Sequence, residues 1–247
     1  MMRRSILIAV VLAVTIVPTA ALAAEDTGRD TTTTVPERTR DRALEELKER
    51  AAQMIDRQMD LLGRLRSSIA GSEHITDGHA ATLSGDIGAA AAALERLAAQ
   101  AEAATTVAEV WEVIRAIPAL HIGNVLAPKT HQVIASDALV ALGSKLERFA
   151  DKLEDLITRA EENGHDVDEA WRMLEDMTDG IAEGVRLADP VAESVIGLDA
   201  SDWPDPAQST LAAGRRDLRA GGQSLRDAYA TGRDIVQFLR DLVAEAA

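Results

Sequence analysis

The sequence lacks cysteine altogether and contains few aromatic residues. Of its 247 residues only 2% are Phe, Trp or Tyr, and none is Cys. The absence of cysteine excludes disulfide bonds, thiol nucleophiles, zinc–thiolate centres and a lipid-modified cysteine. Apolar residues make up 47% of the chain and are mostly alanine, leucine and valine, which predicts a core of small and medium side chains.

Basic residues are also scarce. Against 41 Asp and Glu the chain has 26 Lys and Arg, which gives a formal charge of −15. Nucleic-acid binding requires clustered Lys and Arg that neutralise phosphates, so we expect no nucleic-acid partner. The same balance disfavours docking on anionic lipid headgroups.

Residues 1–23 have the pattern of an export signal. Arg3 and Arg4 form a basic start, residues 5–17 form an apolar run of 13 residues, and residues 21–23 (ALA) provide a small-x-small cleavage pattern. The run is short for a membrane span. We therefore expect cleavage after Ala23 and an exported protein, extracellular or associated with the cell envelope; a retained signal anchor is the alternative. Cleavage removes two of the 26 basic residues, so the mature charge is −17, and no stable membrane insertion is expected afterwards.

The remaining chain divides into a linker and one predicted domain. Residues 24–36 lack apolar periodicity and contain four consecutive threonines, which predicts a flexible linker. Over residues 37–247 apolar residues recur at helical spacing, and the connectors are short. The predicted fold is all-α: a single, elongated, antiparallel helical-bundle domain with coiled-coil-like long helices.

Several helix boundaries can be predicted from capping residues. Thr76 suits the N-cap of a helix over residues 77–103, and residues 106–109 (TVAE) form a capping box for a shorter helix. Pro128 suits the first turn of a long helix that runs to about Glu162. Asn163-Gly164 then provides its C-terminal cap.

The last helix has a heptad seam that contains small residues. Leucine or glycine recurs every seven residues, and a second series of small and apolar residues alternates with it. The first series is Leu211, Leu218, Leu225, Gly232 and Leu239, and the second is Gly214, Gly221, Ala228, Ile235 and Leu242. Because the first half of the second series is small, a neighbouring helix is expected to approach closely there.

The least regular part of the predicted domain is residues 118–128 (PALHIGNVLAP). Two prolines and a Gly-Asn pair predict a buried connector or a short broken helix. His131 follows in the first turn of the long helix, where the helix dipole disfavours a charged imidazole. One interpretation is a ligand-contacting or pH-sensing histidine near Lys129 and Asp137. The favoured interpretation is a histidine that hydrogen-bonds across the bundle and locks the connector.

No set of residues predicts catalysis. Glu162 and His165 match the Glu-x-x-His pattern of di-iron bundles, but Asn163-Gly164 breaks the helix between them and no second copy exists. Nucleophile elbows, metalloprotease motifs, phosphate-binding loops, dinucleotide fingerprints and calcium loops are absent from the sequence. We therefore expect a non-enzymatic protein with no cofactor and no metal site.

Two stretches carry a resemblance, residues 127–137 (APKTHQVIASD) and 198–204 (LDASDWP). They resemble a group of exported, alanine-rich, all-helical actinobacterial proteins in which a Pro-Lys-x-His-x-Val run follows a short apolar segment. The resemblance covers roughly residues 75–246 and departs from the group in the connector. It implies an all-helical fold and export, and it implies no reaction. It marks Pro128, Lys129, His131 and Asp137 as a motif of unknown role.

These observations support two hypotheses of different classes. The first is an exported, non-enzymatic bundle with an interaction or structural role, whose partner belongs to the envelope or the extracellular space. The second is a bundle that binds a small ligand or a cation near residues 118–131, which predicts a cavity beside that segment. The sequence does not specify the oligomeric state.

Overall fold

The computed structural model describes residues 37–245, and the predicted signal and linker lie outside them. The described chain is almost entirely helical and has no strand. Its six α-helices are α1 (Glu37–Ala70), α2 (Asp77–Ala103), α3 (Val107–Ala119), α4 (Ala127–Glu162), α5 (Asp168–Ile196) and α6 (Ala207–Glu245). The predicted all-α class is confirmed.

Helix ends lie where the capping residues predict them. The Thr76 hydroxyl accepts a hydrogen bond from the His79 backbone N–H at the start of α2, at 3.2 Å. Thr106 and Glu109 form a reciprocal capping box at the start of α3. Gly164, with a φ of 83°, follows the end of α4 in the left-handed conformation that glycine adopts most readily. These caps explain why short connectors separate long helices.

Helices α4, α5 and α6 form a three-helix bundle in which α4 and α6 run parallel. The contacts on α4 and α6 advance together along the two helices: Gln132 reaches Leu211, and the ring of Phe149 lies 6.4 Å from that of Tyr229. Both helices are antiparallel to α5, which lies between them in sequence. A groove between two parallel helices is therefore a feature of this bundle.

Helices α1, α2 and α3 form a second layer that covers only one end of the three-helix bundle. One apolar core joins this layer to the start of α4, the end of α5 and the start of α6. A second apolar core fills the rest of the α4–α6 bundle without any residue from α1, α2 or α3. We call these parts the covered half and the uncovered half of the bundle.

Glycines allow α5 and α6 to approach closely. Gly180 of α5 faces Ala228 of α6, and Gly184 faces Gly221, so the two helices run antiparallel. A Cβ atom placed on Gly221 would lie 2.7 Å from the Gly184 carbonyl oxygen, closer than side-chain carbons normally come to backbone. The prediction of a close approach along the small residues of α6 is confirmed.

Of the two alternatives predicted for the segment between α3 and α4, the structure has the short broken helix. Helix α3 continues through Pro118, and a π-helical turn over Ile122–Leu126 then leads into α4. His121 begins that turn with a φ of 45°, a left-handed conformation that is costly for a residue with a side chain. Its ring lies 5.8 Å from that of Trp203, so the turn packs against the loop before α6.

Along residues 37–245 no helix combines the length and the apolar character needed to cross a bilayer.

Candidate functional site

The four polar residues of the described chain that are buried as whole residues all lie in the first three turns of α4. Lys129, Thr130, Gln132 and Ser136 are each less than 9% exposed. Buried polar groups destabilise a fold unless they are hydrogen-bonded. The hydrogen-bond partners of these four side chains therefore show which segments this region holds together.

Lys129 joins three segments that are far apart in sequence. Its ammonium lies 2.6 Å from Oδ2 of Asp86 on α2 and donates to the Leu198 carbonyl oxygen, at 2.7 Å, just beyond the end of α5. Lys129 is only 3% exposed, whereas the Asp86 side chain is 40% exposed. The buried cation is therefore compensated by a carboxylate at the protein surface and by a backbone dipole.

Gln132 and Ser136 connect α4 to the other two helices of its bundle. The Gln132 amide donates to the Leu211 carbonyl of α6 at 2.9 Å, and the Ser136 hydroxyl donates to the Ala188 carbonyl of α5 at 2.7 Å. The Gln132 side-chain oxygen is buried without a hydrogen-bond partner against Gly214. These contacts fix the axial position of α4 relative to its neighbours.

A histidine and two carboxylates join α2 to α4 and α5. Nδ1 of His79 lies 2.8 Å from Oδ2 of Asp137, and its Nε2 lies 3.3 Å from Oε1 of Glu193. Asp137 also accepts the Thr76 backbone N–H, at 2.9 Å. Burial disfavours the imidazolium, but the hydrogen bonds and negative charges of Asp137 and Glu193 outweigh it and raise the pKa of His79.

A cavity of about 260 Å³ lies beside the connector, where the ligand-binding hypothesis predicts one. Ala89, Ala90 and Ala93 of α2 form one apolar side. Lys129, Asp86 and the segment from Leu198 to Ala200 are the polar side, and residues of the connector complete the lining. Three charged residues, Asp86, Lys129 and Asp199, thus border an otherwise apolar space, and an apolar space with a few polar groups is the usual form of a small-molecule site.

The structure does not bring the four motif residues together. Pro128 lies in the first turn of α4, Lys129 contacts Asp86, and Asp137 contacts His79. His131 is exposed, and no side-chain hydrogen bond to it occurs in the described part of the chain. Residues two apart on a helix point to different sides. The expectation that His131 hydrogen-bonds across the bundle is therefore wrong, and a shared role of the four motif residues stays a prediction.

The histidine that contacts carboxylates in the described chain is His79. It was not among the residues predicted from the sequence to have a role. Its partners Asp137 and Glu193 are 58 and 114 residues away, and nothing in the local pattern indicates them. Among the described side chains no group of three or more His, Asp or Glu has an arrangement that could hold a metal ion.

A second candidate surface lies on the uncovered half of the bundle, in the groove between α4 and α6. Five large apolar side chains are exposed in the described chain, and four of them lie on these two helices. With two half-buried residues they form two rows at seven-residue spacing. We call these rows the α4–α6 seam: Leu142, Phe149 and Leu156 on α4, and Tyr229, Val236 and Val243 on α6.

No protein-family model, no curated protein and no solved structure matches the chain.

Proposed function

We propose that the mature protein is an exported, non-enzymatic helical bundle that binds another macromolecule at the cell envelope or outside the cell. The α4–α6 seam supports this proposal most strongly. Leu156, Tyr229 and Val243 are 46%, 51% and 57% exposed, and they lie along one groove rather than being scattered. Rows of exposed apolar residues on a folded surface are typical of interaction sites.

The export half of the proposal rests on the sequence of residues 1–23, which has a basic start, an apolar run and a cleavage pattern. The resemblance to exported helical proteins agrees with it. Export is tested by sequencing the amino terminus of the protein recovered from culture medium and from the cell envelope. We expect the chain to begin at Ala24; recovery of uncleaved chain from the cytoplasm would contradict export.

Photo-crosslinking in the producing cell tests the interaction. A photoreactive amino acid at Leu156 or Tyr229 is expected to give a discrete crosslinked species that does not form from a position outside the seam. The matched control position is Trp111, which is 38% exposed on α3, away from the seam. Equal crosslinking from all three positions, or none from the seam, would contradict the proposal, as would turnover of hydrolase or oxidoreductase substrates by the purified protein.

The 260 Å³ cavity favours a second function, binding of a small ligand with an apolar body and a carbonyl or hydroxyl head. The alanine side suits the body, and the Lys129 ammonium, which has a third N–H beyond its two acceptors, suits the head. Because the carboxylates of Asp86 and Asp199 also line the cavity, the charge of the ammonium is compensated there, and an uncharged head suits the site better than a carboxylate.

Thermal unfolding with octanoate, 1-octanol and calcium chloride tests the second function. We expect 1-octanol to raise the melting temperature most, and Ala93→Leu to abolish the shift because it fills the cavity without removing Lys129. Unchanged melting with all three compounds would exclude the cavity as a site for this class of ligand.

A further inference from the structure

The α4–α6 seam is bordered on both sides by basic side chains at the same seven-residue spacing. On α4 they follow each apolar seam residue by three positions: Lys145, Lys152 and Arg159. On α6 they precede each apolar seam residue by three positions: Arg226, Arg233 and Arg240. All six are exposed. We call them the two basic rows.

Helix geometry places both basic rows on the outer edges of the groove. Each residue turns the helix by about 100°, so positions three apart are about 60° apart around the axis. On α4 the residue three before Phe149, Leu146, is buried, so the residue three after it, Lys152, points away from the core. On α6 the buried residue three after Tyr229 is Gly232, so Arg226, three before it, points outward.

The basic rows have no carboxylate partners within the part of the chain that the structure describes. None of the six residues belongs to an ion pair there. Arg226 donates to the amide oxygen of Gln223, at 2.7 Å, and Lys145 lies 3.3 Å from a ring nitrogen of His74. Six exposed cations without a carboxylate partner in the described chain therefore line one groove of a protein that has an excess of acidic residues.

We propose that the occupant of the α4–α6 seam is an acidic amphipathic α-helix of a partner protein, which packs as a fourth helix on the uncovered half of the bundle. The inference rests on the proposed interaction role and names the partner's chemistry. Apolar rows at seven-residue spacing on two parallel helices accept the knobs of a third helix. Glu and Asp on the flanks of that helix would face the two basic rows.

Two other occupants fit the surface less well. A second copy that offered the same groove would bring like-charged rows together, which repel. An anionic lipid surface would attract the basic rows, but it would also approach a protein with 41 acidic residues and only 26 basic ones. A separate acidic helix meets the basic rows without either conflict.

Peptide binding to the mature full chain tests the proposal. The probe is a fluorescent 21-residue helix, about 32 Å long, with Leu and Ala at the a and d heptad positions and Glu at e and g. Its matched control has Lys in place of every Glu. In fluorescence anisotropy we expect the Glu peptide to bind at least about tenfold more tightly than the Lys peptide, with affinity that falls as salt is raised.

A charge reversal locates the binding on the seam. Lys152→Glu combined with Arg233→Glu is expected to weaken the Glu peptide about tenfold and to strengthen the Lys peptide. The matched control is Arg57→Glu with Arg64→Glu, two exposed residues of α1, which should leave both affinities unchanged. Circular dichroism checks that both double variants keep the helical content of the parent.

Three outcomes would overturn the proposal. The first is equal affinity for the two peptides, or affinity that the seam reversal does not change. The second is stronger binding to phosphatidylglycerol vesicles than to the Glu peptide, which would assign the basic rows to a lipid surface. The third is self-association that the seam reversal abolishes, which would assign them to a second copy. Seam-dependent photo-crosslinking without a preference for acidic peptides would leave the interaction role standing and contradict only the nature of the partner.

Discussion

The covered and uncovered halves of the α4–α6 bundle are built from the same three helices but differ in what their side chains do. In the covered half, where α1, α2 and α3 pack against the bundle, α4 buries Lys129, Gln132 and Ser136 and gives each a partner on another segment. In the uncovered half the described chain buries no polar side chain, and apolar residues stand partly exposed along the seam.

The difference between the two halves separates the residues that determine the fold from the residues that can bind a partner. Buried hydrogen bonds require particular partners, so the polar contacts of the covered half specify which segments meet and at what axial position. The uncovered half has no such constraint on its outer side, where partly exposed apolar rows with basic edges can receive a partner. We infer that substitutions in the covered half act mainly on stability and that substitutions on the seam act mainly on binding.

The largest stability effect is expected from Lys129→Met. The substitution keeps most of the side-chain volume but leaves the buried Leu198 carbonyl without its donor. Because Asp86 is partly exposed and can be hydrated, we expect a loss of about 2–3 kcal/mol rather than the full cost of breaking a buried ion pair. Urea unfolding measures it. Lys152→Met on the seam is the control, and a comparable loss there would contradict the contrast between the halves.

A smaller loss of stability is expected from Gly221→Ala at the crossing of α5 and α6. The new methyl group would overlap the Gly184 carbonyl, and overpacking of this kind costs about 1–3 kcal/mol, more than the roughly 1 kcal/mol that alanine gains in helix propensity. Gly63→Ala is the matched control, because no atom lies within 4 Å of a Cβ there, and it is expected to stabilise α1. Thermal melting that ranks the two variants in the opposite order would show that the crossing can relax.

A weaker effect on stability, which depends on pH, is expected from replacing His79. Its folded-state pKa is raised above the ordinary value of about 6.5, so its contribution to stability is complete below that pH and is lost as pH rises through the folded pKa. The groups that face it are Asp137 and Glu193, and Asp189 and His74 line the same groove. His79→Gln is therefore expected to cost more stability at pH 5.5 than at pH 8.5. Parallel curves of unfolding free energy against pH for the two proteins would contradict this.

The smallest stability effect is expected from neutralising the basic rows. Lys152→Gln with Arg233→Gln removes two exposed charges that have no carboxylate partner in the described chain, so the free energy of unfolding should change by less than about 0.5 kcal/mol. The same variant is expected to lose affinity for the Glu peptide. A clear loss of stability would mean that the rows act within the fold rather than on a partner.

Local sequence patterns predicted the elements of this fold better than its contacts. The caps at Thr76 and Thr106 and the small residues around Gly221 involve nearby residues or a helical repeat, and all three predictions are confirmed. The pairing of Lys129 with Asp86 spans 43 residues. Any exposed carboxylate on a neighbouring helix would have been an equal candidate from sequence alone.

The α4–α6 seam also shows that contacts between helices are hard to predict from sequence. The seven-residue spacing of Lys145, Lys152 and Arg159 can be read from the sequence, as can that of the arginines on α6. The contacts between α4 and α6, among them that of Phe149 with Tyr229, place the two rows along one groove. Separately, each row has the appearance of an ordinary solvated face of a helix.

Hydrogen exchange with and without the Glu peptide tests the contrast between the two halves most directly. If the uncovered half is the binding half, the peptide should slow amide exchange over residues 142–159 of α4 and 226–243 of α6. Exchange over residues 129–137, in the covered half of α4, should not change. Protection confined to the connector and the first turns of α4, or no protection at all at a saturating peptide concentration, would contradict the account.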